Sequence, residues 1–285
     1  MTPFQLSDAE LDRLLAEDAP YGDLTTFALG IGEEPGNMVF RARAAMVPAC
    51  TEEAARLLRR AGAEVEGVRD SGKAVTAGAE LLRASGPAAA LLVGWKVAQT
   101  LVEVASGIAG SARALVDAAR AVAPAITIAC TRKTFPGTKA VSIRAIMAGG
   151  AVPHRLGLSE TVLVFPEHRV FRPERPLSDM LAALKAACPE KKIVVEVGGQ
   201  DDAVAAALAG ADVVQLEKFA PGAVADAVTA IAGRAVVAAA GGITAGNAAA
   251  YAAAGAAILV TSSPYWAPPA DVAVSLARRS VPVRA

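Results

Sequence analysis

The sequence is poor in aromatic residues, histidine and cysteine. Aromatic residues make up 4% of the 285 positions, and there are two histidines and three cysteines. Three widely spaced thiols match neither a zinc site nor a disulfide framework, which indicates small buried cysteines in a reducing compartment. No uninterrupted apolar run reaches about 18 residues, and the N-terminus lacks the apolar core of a signal peptide. We therefore expect a cytoplasmic protein with no membrane as a partner.

Charge and hydrophobicity describe a globular chain. The sequence carries 28 basic and 28 acidic residues, and no block of lysine and arginine is interleaved with aromatic residues. The basic footprint of a nucleic-acid-binding protein is therefore missing, and nucleic acid is not an expected partner. Hydrophobic residues make up 54% of the chain, mostly alanine and valine, which predicts a core of short side chains. The length suits one large domain or two of ordinary size, and a small domain plus a barrel fits it.

One segment has no acidic residue. Between residues 118 and 159 the basic side chains are Arg120, Arg132, Lys133, Lys139, Arg144, His154 and Arg155, without a single aspartate or glutamate. Such a local excess in a neutral protein indicates a site for a multiply charged anion, and a solvated basic face is the alternative. Arg132 and Lys133 directly follow the apolar run 126–130. They are expected just beyond the carboxyl end of a buried strand, where α/β folds build their sites.

Apolar β-branched runs alternate with alanine-rich helical segments in the second half of the chain. The runs are 126–130, 161–165, 193–197, 213–216, 235–239 and 257–261, and the helical segments are 201–209, 222–232 and 245–254. This alternation predicts βα units around a parallel sheet. No dinucleotide-type glycine fingerprint opens the first unit, so the pattern favours an α/β barrel, complete or with fewer than eight strands, over an open sheet.

The first part of the chain predicts a smaller α+β domain. The expected elements are a helix at 8–17, turn-forming residues at 18–26, a strand at 38–43 and a helix at 51–61. A helical stretch then runs from residue 88 to about 122, and Ser106, Gly107 and Gly110 within it allow close packing or a kink. We place the domain boundary in this stretch. Residues 1–110, joined by 268–285, form the first lobe, and 111–267 form the barrel.

Polar side chains and glycines are expected at the carboxyl ends of the predicted barrel strands. They are Arg132 and Lys133, Glu196, Glu217 and Lys218, Gly241 and Gly242, and Thr261 and Ser262. Glycines after a late strand allow backbone amides to approach a phosphate closely, although turns also use them routinely. An isolated buried carboxylate is costly, so Glu196 and Glu217 need partners. These partners are either lysines in a structural ion network, or the hydroxyls of a sugar and a magnesium ion.

A set of motifs runs along nearly the whole chain. They are Glu17-Asp18 with Gly22-Asp23-Leu24-Thr25-Thr26, Ser106-Gly107-Ile108-Ala109, Thr131-Arg132-Lys133-Thr134 before Pro136-Gly137, Gly149-Gly150 with His154-Arg155 and Gly157-Leu158, Glu196-Val197, and Gly241-Gly242-Ile243 with Asn247. With these motifs the chain resembles the quinolinate phosphoribosyltransferases, also called nicotinate-nucleotide pyrophosphorylases. It most resembles the ModD branch, which is associated with molybdenum transport.

The resemblance implies a fold, a reaction and a set of site residues. The fold is an N-terminal α/β sandwich lobe joined to an incomplete or atypical TIM-like α/β barrel, in a homodimer whose active site is shared between subunits. The reaction transfers phosphoribose from phosphoribosyl pyrophosphate (PRPP) to quinolinate, releases pyrophosphate and carbon dioxide, and leaves nicotinate mononucleotide. The expected residues are Lys133, Glu196 and Glu217 for catalysis, Lys96, Arg132, His154, Arg155 and Lys218 for substrate binding, Gly241, Gly242, Thr261 and Ser262 for phosphate binding, and Glu196 and Glu217 for Mg²⁺ that arrives with PRPP.

Several positions depart from the family pattern. Lys96 stands where the family has an arginine that reaches across the dimer, and Phe165 stands in place of a barrel lysine. Loss of a charge-assisted partner of a carboxylate costs about 1.5 to 3 kcal/mol. The expected acceptor is therefore an aromatic acid related to quinolinate, and it need not be quinolinate itself. Lys218 replaces an asparagine and is a candidate to restore the lost cation. Ser262 replaces a phosphate-loop glycine.

Three hypotheses about function follow. The first is a Mg²⁺-dependent phosphoribosyltransferase for an aromatic acid. The second is a noncatalytic anion-binding or regulatory protein of molybdenum metabolism that uses the same basic barrel mouth. The third, an aldolase-like barrel, would make Lys133 a Schiff-base lysine.

Overall fold

The structure is a computed structural model, and it describes residues 4–279. In chain order the helices are α1 (Asp8–Asp18), α2 (Leu24–Leu29), α3 (Thr51–Arg60), α4 (Ala88–Arg120), α5 (Lys139–Ala148), α6 (Pro166–Arg169), α7 (Leu177–Ala187), α8 (Gln200–Leu208), α9 (Pro221–Ile231) and α10 (Ala248–Ala253). The strands are β1 (Pro35–Ala42), β2 (Glu64–Glu66), β3 (Glu80–Pro87), β4 (Thr127–Cys130), β5 (Val152–Pro153), β6 (Val162–Val164), β7 (Ile193–Val197), β8 (Val213–Glu217), β9 (Val236–Ala240), β10 (Ile258–Thr261) and β11 (Val272–Arg278). These elements form two units.

The first unit contains residues 4–113, 135–150 and 266–279. Its sheet has the order β11-β1-β3-β2 and is antiparallel. Along β1 every second side chain is buried, among them Met38 and Phe40, which is the alternation of a strand with one face on a core. Leu57 and Leu58 of α3 are fully buried in the same core. Each such side chain contributes about 1.5 to 3 kcal/mol through the hydrophobic effect.

Helix α4 is continuous, and its small residues serve close packing. A Cβ atom added to Gly107 would lie 2.2 Å from the carbonyl oxygen of Pro268, and one added to Gly149 would lie 2.5 Å from the carbonyl oxygen of Ala109. Close packing is therefore realised at Gly107, whereas a Cβ atom added to Gly110 would meet nothing within 4 Å. Gly149 follows α5 and lets the end of that helix approach α4 closely. The helix is long and apolar enough to cross a membrane. Its fully buried residues, such as Ala98 and Ala105, mark it as a core helix of a folded unit.

Helix α5 is attached to the first unit by a buried ion pair. The Nε atom of Arg144 lies 2.8 Å from an Oε atom of Glu53, and both side chains are at most 4% exposed. Arg144 also pairs with Glu52 at 3.3 Å. Burial opposes the ionisation of Glu52, but hydrogen bonds from Ser71 together with Arg144 outweigh burial and lower the pKa of Glu52. Because of these contacts, residues 135–150 belong to the first unit, whereas the sequence placed them in the barrel.

The other predicted boundaries lie close to those of the units. The second unit contains residues 114–134 and 151–265, against a predicted barrel of 111–267. Residues 266–279 join the first unit through β11, which pairs with β1. Residues 1–3 and 280–285 of the predicted first lobe lie outside the described residues.

The second unit is a curled parallel sheet with helices between its strands. Its strand order is β5-β4-β10-β9-β8-β7-β6, and the pairings along it are parallel. This arrangement confirms the predicted fold class of an α/β sandwich lobe with an atypical α/β barrel. All six apolar runs form strands. The sequence missed β5, which has only two residues, and the predicted turn at 18–26 contains the start of α2, which Asp23 caps through the backbone amides of Thr25 and Thr26.

Candidate active site

The carboxyl ends of the strands in the second unit carry most of the predicted site residues. Since the strands are parallel, these ends share one edge of the sheet. Arg132 and Lys133 follow β4, His154 and Arg155 follow β5, Glu196 lies near the end of β7, Glu217 ends β8 and precedes Lys218, Gly241 and Gly242 follow β9, and Thr261 ends β10 before Ser262. The fold thus gathers cations, carboxylates and glycines at one edge.

The loop that carries Arg132 and Lys133 is fixed at Thr131. The hydroxyl of Tyr265 donates a hydrogen bond of 3.0 Å to the carbonyl oxygen of Thr131. Burial raises the pKa of Tyr265, so its hydroxyl remains a donor. The Oγ1 atom of Thr131 accepts a hydrogen bond from the backbone amide of Lys133 at 3.2 Å. The side chains of Arg132 and Lys133 are exposed on this fixed loop and are free to meet a ligand.

His154 and Arg155 are held deeper. The backbone amide of His154 donates to the carbonyl oxygen of Cys130, and the side chain of Arg155 is only 8% exposed. Burial and the nearby charge of Arg132 lower the pKa of Arg155, whereas Glu196 acts in the opposite direction. Burial and Arg155 likewise lower the pKa of His154. The guanidinium groups of Arg155 and Arg132 repel each other, and an anion bound between them would relieve this repulsion.

Phe165 contacts Arg155. The guanidinium carbon of Arg155 lies 5.5 Å from the centre of the Phe165 ring, within the range of a cation–π interaction. The ring of Phe165 also stacks on His168 at 5.7 Å, and the Nδ1 atom of His168 accepts a hydrogen bond from the backbone amide of Phe165. The residue that replaces the expected lysine therefore supports a neighbouring arginine.

Glu196 is paired with a residue that the sequence did not single out. The side-chain amide of Gln215 donates a hydrogen bond of 2.6 Å to Glu196. Burial raises the pKa of Glu196, and the charges of Glu217 and Glu167 add to this effect, whereas the hydrogen bond from Gln215 and the charge of Lys133 oppose it. Gln215 is a polar residue inside an apolar strand run, and that signal alone could have identified it.

Glu217, Lys218 and Gly241 form a crowded corner. The Nζ atom of Lys218 lies 4.0 Å from the Oε1 atom of Glu217, and the Lys218 side chain is mostly exposed. Lys218 has a φ of 61°, in the left-handed region that favours glycine. A Cβ atom on Gly241 would lie 2.7 Å from the Cγ atom of Lys218 and 2.9 Å from its backbone nitrogen. Glycine is required at 241 because Lys218 packs directly against its backbone.

The loop after β9 is closed by its own side chains. The Oδ1 atom of Asn247 accepts from the backbone amide of Thr244, and its Nδ2 atom donates to the carbonyl oxygen of Gly242. The hydroxyl of Thr261 donates to the carbonyl oxygen of Ile243 at 2.7 Å and accepts from the backbone amide of Ser263. Thr261 is 5% exposed, so its hydroxyl orders the loop, while Gly242 is exposed on it.

Comparison with known proteins identifies the family. The sequence profile of the quinolinate phosphoribosyl transferase N-terminal domain matches residues 23–106, and that of the C-terminal domain matches residues 108–275. The chain belongs to the quinolinate phosphoribosyltransferase family. The resemblance inferred from the motifs is thereby confirmed.

Relatives in this family have two kinds of name. A pyrophosphorylase named ModD from Rhodobacter capsulatus is 54% identical over 247 residues, which is 86% of this chain and 95% of the relative. The human nicotinate-nucleotide pyrophosphorylase [carboxylating] is 33% identical over 242 residues, 84% of this chain and 80% of the human protein. The crystal structure of NadC from Streptococcus pyogenes matches with a TM-score of 0.89 at 25% identity and covers 98% of this chain and 99% of that one.

The carboxylates of this quinolinate phosphoribosyltransferase homologue suit a magnesium ion that comes with a phosphorylated ligand. Within residues 4–279 no group of three or more histidine, cysteine or acidic side chains is arranged to hold a metal ion. The charge of Glu217 helps to raise the pKa of Glu196, and the two carboxylates are two oxygen donors. Mg²⁺ is commonly bound by one or two carboxylates together with substrate phosphates and water. The donor set therefore fits the expected ion.

A cavity of about 200 Å³ adjoins His154. Its wall is apolar, with Leu163 and Val194 among its residues, and Lys191 and Lys192 contribute cationic side chains. The sequence did not predict a role for these two lysines. Lys192, Val213 and Ile258 stand directly before or at the first residues of their strands. The cavity therefore lies toward the amino ends of the strands, away from the edge that carries Arg132, Glu196 and Glu217.

Two further residues bear on the predicted chemistry. Lys96 lies on α4 in the first unit, where its Nζ atom is 4.3 Å from the centre of the Trp95 ring and donates to the Oε1 atom of Gln99. Cys130 ends β4, and burial raises the pKa of its thiol to about 12, which makes it a structural residue rather than a nucleophile. The exposed Lys133 lacks the desolvated surroundings of a Schiff-base lysine.

Proposed function

We propose that the protein is a Mg²⁺-dependent phosphoribosyltransferase, which transfers phosphoribose from PRPP to an aromatic acid and releases pyrophosphate. One observation carries this proposal: the cations that follow β4 and β5 and the carboxylates at the ends of β7 and β8 lie at one edge of the barrel sheet. Arg132, Lys133 and Arg155 supply positive charge, and Glu196 and Glu217 supply negative charge in the same place. A substrate with phosphates, a sugar and a carboxylate needs this combination.

The cations suit the anionic parts of the substrates. In the transfer, negative charge develops on the departing pyrophosphate and positive charge on C1 of the ribose. Fixed charges that face these changes stabilise the transition state without a covalent nucleophile. Lys133 binds the phosphorylated sugar in this proposal, and Arg132 and Arg155 hold a carboxylate. The fixed loop at Thr131 supports this role, because preorganised cations need no rearrangement when the charge develops.

The carboxylates suit the ribose. Glu196 and Glu217 are acceptors for the ribose hydroxyls and two of the oxygen ligands of Mg²⁺, with the others coming from pyrophosphate and water. The ion, when bound, neutralises charge on the pyrophosphate leaving group. The exposed backbone at Gly242 and the side chain of Ser262 bind the phosphate of the ribose, and Thr261 keeps this loop in place.

The acceptor is an aromatic acid related to quinolinate. His154 and Arg155, which follow β5 at the carboxyl edge of the sheet, bind a carboxylate of this acid. Lys218 is exposed and near Glu217, and it supplies a cation where the family pattern has a neutral asparagine. Relatives named nicotinate-nucleotide pyrophosphorylase [carboxylating] support this choice. If quinolinate itself is the acceptor, the products are nicotinate mononucleotide, carbon dioxide and pyrophosphate.

The homodimer also belongs to this proposal. In the first unit, Tyr21, Leu24, Phe27 and Leu29 are exposed apolar residues in and beside α2, and Tyr21 is fully exposed. Such a patch is typical of a protein interface. In the proposed dimer it is covered by a second copy, and Lys96 serves the site of the partner subunit. Light scattering after size-exclusion chromatography should give about twice the mass of one chain.

A noncatalytic anion-binding protein is the second candidate. Phe165 stands where the family pattern has a lysine, and this favours the noncatalytic candidate. A lost cation weakens the binding of a dicarboxylic acid more than that of a phosphate. This protein would bind PRPP or another polyanion at the same edge without turnover.

A transfer assay distinguishes the two candidates. The purified protein is incubated with Mg²⁺, PRPP and either quinolinate or another pyridine carboxylic acid, and the nucleotide product is followed by mass spectrometry. The control is the Arg132→Ala/Lys133→Ala variant, whose removed side chains are exposed, so its folding should be preserved. A nucleotide that forms only with the wild type supports the transferase. PRPP binding by calorimetry without any product supports the noncatalytic protein.

A further inference from the structure

Gln215 lies in the middle of β8, directly opposite Glu196 of β7. Their Cα atoms are partners in the parallel register of the two strands. Gln215 is 4% exposed, and its Nε2 atom donates a hydrogen bond of 2.6 Å to the Oε2 atom of Glu196. A hydrogen bond to an ionised acceptor is shorter and stronger than one between neutral groups.

The other side-chain atom of Gln215 is left without a partner. Its Oε1 atom is buried and accepts no hydrogen bond from any of the described residues 4–279. An unsatisfied buried acceptor carries a desolvation penalty, and an apolar side chain of the same shape would avoid it. The strands β7 and β8 are already paired through their backbones, so the sheet does not need the amide. The polar side chain is therefore unexpected if its only role is packing.

The orientation of the amide follows from the charge of Glu196. If the amide were reversed, its carbonyl oxygen would face a carboxylate oxygen, and two acceptors would repel each other. With the observed orientation the donor faces Glu196 and the orphan oxygen points away. The hydrogen bond from the amide nitrogen to the carboxylate therefore comes with an unsatisfied carbonyl oxygen on the same side chain.

The charges around Glu196 do not replace this hydrogen bond. Glu217 of the neighbouring strand and Glu167 of α6 disfavour its charge, whereas Lys133 favours it. Arg155 also interacts favourably with Glu196. Both cations are needed for anionic ligands in the proposed function, so a neutral donor is the group that can remain on Glu196 when substrate binds.

We infer that Gln215 is a positioning residue, which holds the Glu196 carboxylate in a fixed orientation toward the ligand while its own carbonyl oxygen stays unsatisfied. The assignment of a ligand to Glu196 rests on the proposed function. The contact between the two side chains does not, and it can be tested separately. Gln215 thereby belongs to the site although it needs no contact with the substrate.

The test compares Gln215→Met with Val214→Ala. Methionine has nearly the shape of glutamine but no amide. Val214 is the next residue of the same strand, is fully buried, and points to the opposite face, so its truncation perturbs the strand without touching Glu196. The titration of Glu196 is followed by carbon-13 NMR of the side-chain carboxyl groups, and its signal is assigned by its absence in Glu196→Gln. The free energy of unfolding is measured on the same proteins with urea.

The two readouts separate a positioning role from a structural one. Gln215→Met should move the titration midpoint of Glu196 to higher pH, because a hydrogen bond to the charged form is lost. In the acidic range where Glu196 is protonated, the stability of this variant should not fall below that of the wild type. Val214→Ala should lose stability and leave the titration of Glu196 unchanged. An unchanged midpoint in Gln215→Met would overturn the inference, and so would a loss of stability as large as that of Val214→Ala.

Enzyme kinetics then connect the contact to the proposed function. If the transfer assay succeeds, Gln215→Met should lower kcat by about tenfold, the usual effect of removing a group that orients a ligand-binding residue, and should move the acid limb of the pH–rate profile to higher pH. A variant with wild-type kcat and pH profile would contradict the positioning role. Failure of the transfer assay in the wild type would contradict the proposed function alone, because the NMR titration needs no substrate.

Discussion

The guanidinium group of Arg155 lies over the face of the Phe165 ring, 5.5 Å from its centre. Arg155 is buried beside Arg132, a like charge that lowers its pKa together with burial. An aromatic face offers such a cation an attractive contact without adding a formal charge. The site has thus exchanged a cation for a group that supports another cation. In the proposed function, this exchange reduces the number of carboxylates of the acceptor acid that can pair with a cation of the site.

Restoring the lost cation should strengthen the binding of a dicarboxylic acid. Phe165→Lys is expected to raise the affinity for quinolinate by about one to two decades, since a charge-assisted hydrogen bond contributes about 1.5 to 3 kcal/mol. The control is Phe165→Leu, which removes the ring and adds no charge, and which should bind quinolinate no better than the wild type. Calorimetry with quinolinate gives both affinities. Equal affinities of the two variants would contradict this view of position 165.

The two glycines after β9 should respond differently to alanine. Gly241 and Gly242 both have positive φ values, of 88° and 73°, but only Gly241 has neighbours within 4 Å of a new Cβ atom. Gly242→Ala should cost about 1 to 2 kcal/mol of stability, for the left-handed conformation alone. Gly241→Ala should cost about 2 to 5 kcal/mol, since the clash with Lys218 adds to this. Urea denaturation of both variants checks the difference, and equal losses would mean that Lys218 moves away freely.

The raised pKa of Glu196 has a consequence for stability. Because the folded protein holds this proton more tightly than the unfolded chain, the contribution of Glu196 to stability is fully present below the ordinary value of 4.5 and is lost as the pH rises through the folded pKa. Glu196→Gln keeps an acceptor for Gln215 but cannot ionise. Its free energy of unfolding relative to the wild type should therefore increase from pH 4 to pH 7. The exposed Glu174→Gln is the control, and a flat difference for both variants would contradict the raised pKa.

The ion pair of Arg144 and Glu53 should be strongly coupled. Arg144→Met leaves Glu53 uncompensated at 1% exposure and should cost about 3 to 5 kcal/mol of stability. The double variant Arg144→Met/Glu53→Leu should recover most of that loss, because no buried charge remains. For comparison, Arg83→Met breaks an exposed pair with Glu80 and should cost at most about 1 kcal/mol. A full loss in the double variant, measured by urea denaturation, would refute the coupling.

The sequence was sufficient for the barrel and for most of the elements. The strands of the second unit are buried on both faces and appear as apolar β-branched runs, which a periodicity argument detects directly. Arg132, Lys133, Glu196 and Glu217 could be placed at the strand ends for the same reason. The two-residue strand β5 was not predicted, because two residues show no periodicity. Its pairing with β4 nevertheless puts His154 next to the carboxyl end of β4.

Long-range side-chain contacts could not be predicted in this way. Arg144 and Glu53 are 91 residues apart in sequence, so nothing local assigned α5 to the first unit. Phe165 was noticed as a departure from a motif, but its contact with Arg155 depends on the curl of the sheet, since the two residues follow the opposite edge strands β6 and β5. Gln215 had a local signal, a polar residue in an apolar run. Its meaning became clear only with the register that places Glu196 opposite it.

The central claim is that this edge of the barrel sheet transfers phosphoribose to an aromatic acid. The most direct measurement is the release of pyrophosphate from PRPP, with Mg²⁺ present, as quinolinate and other pyridine carboxylic acids are added to the wild type and to Arg132→Ala/Lys133→Ala. The account predicts that pyrophosphate appears only when an acid is present and that the double variant releases almost none. No acid-dependent release, or equal release by both proteins, would contradict it.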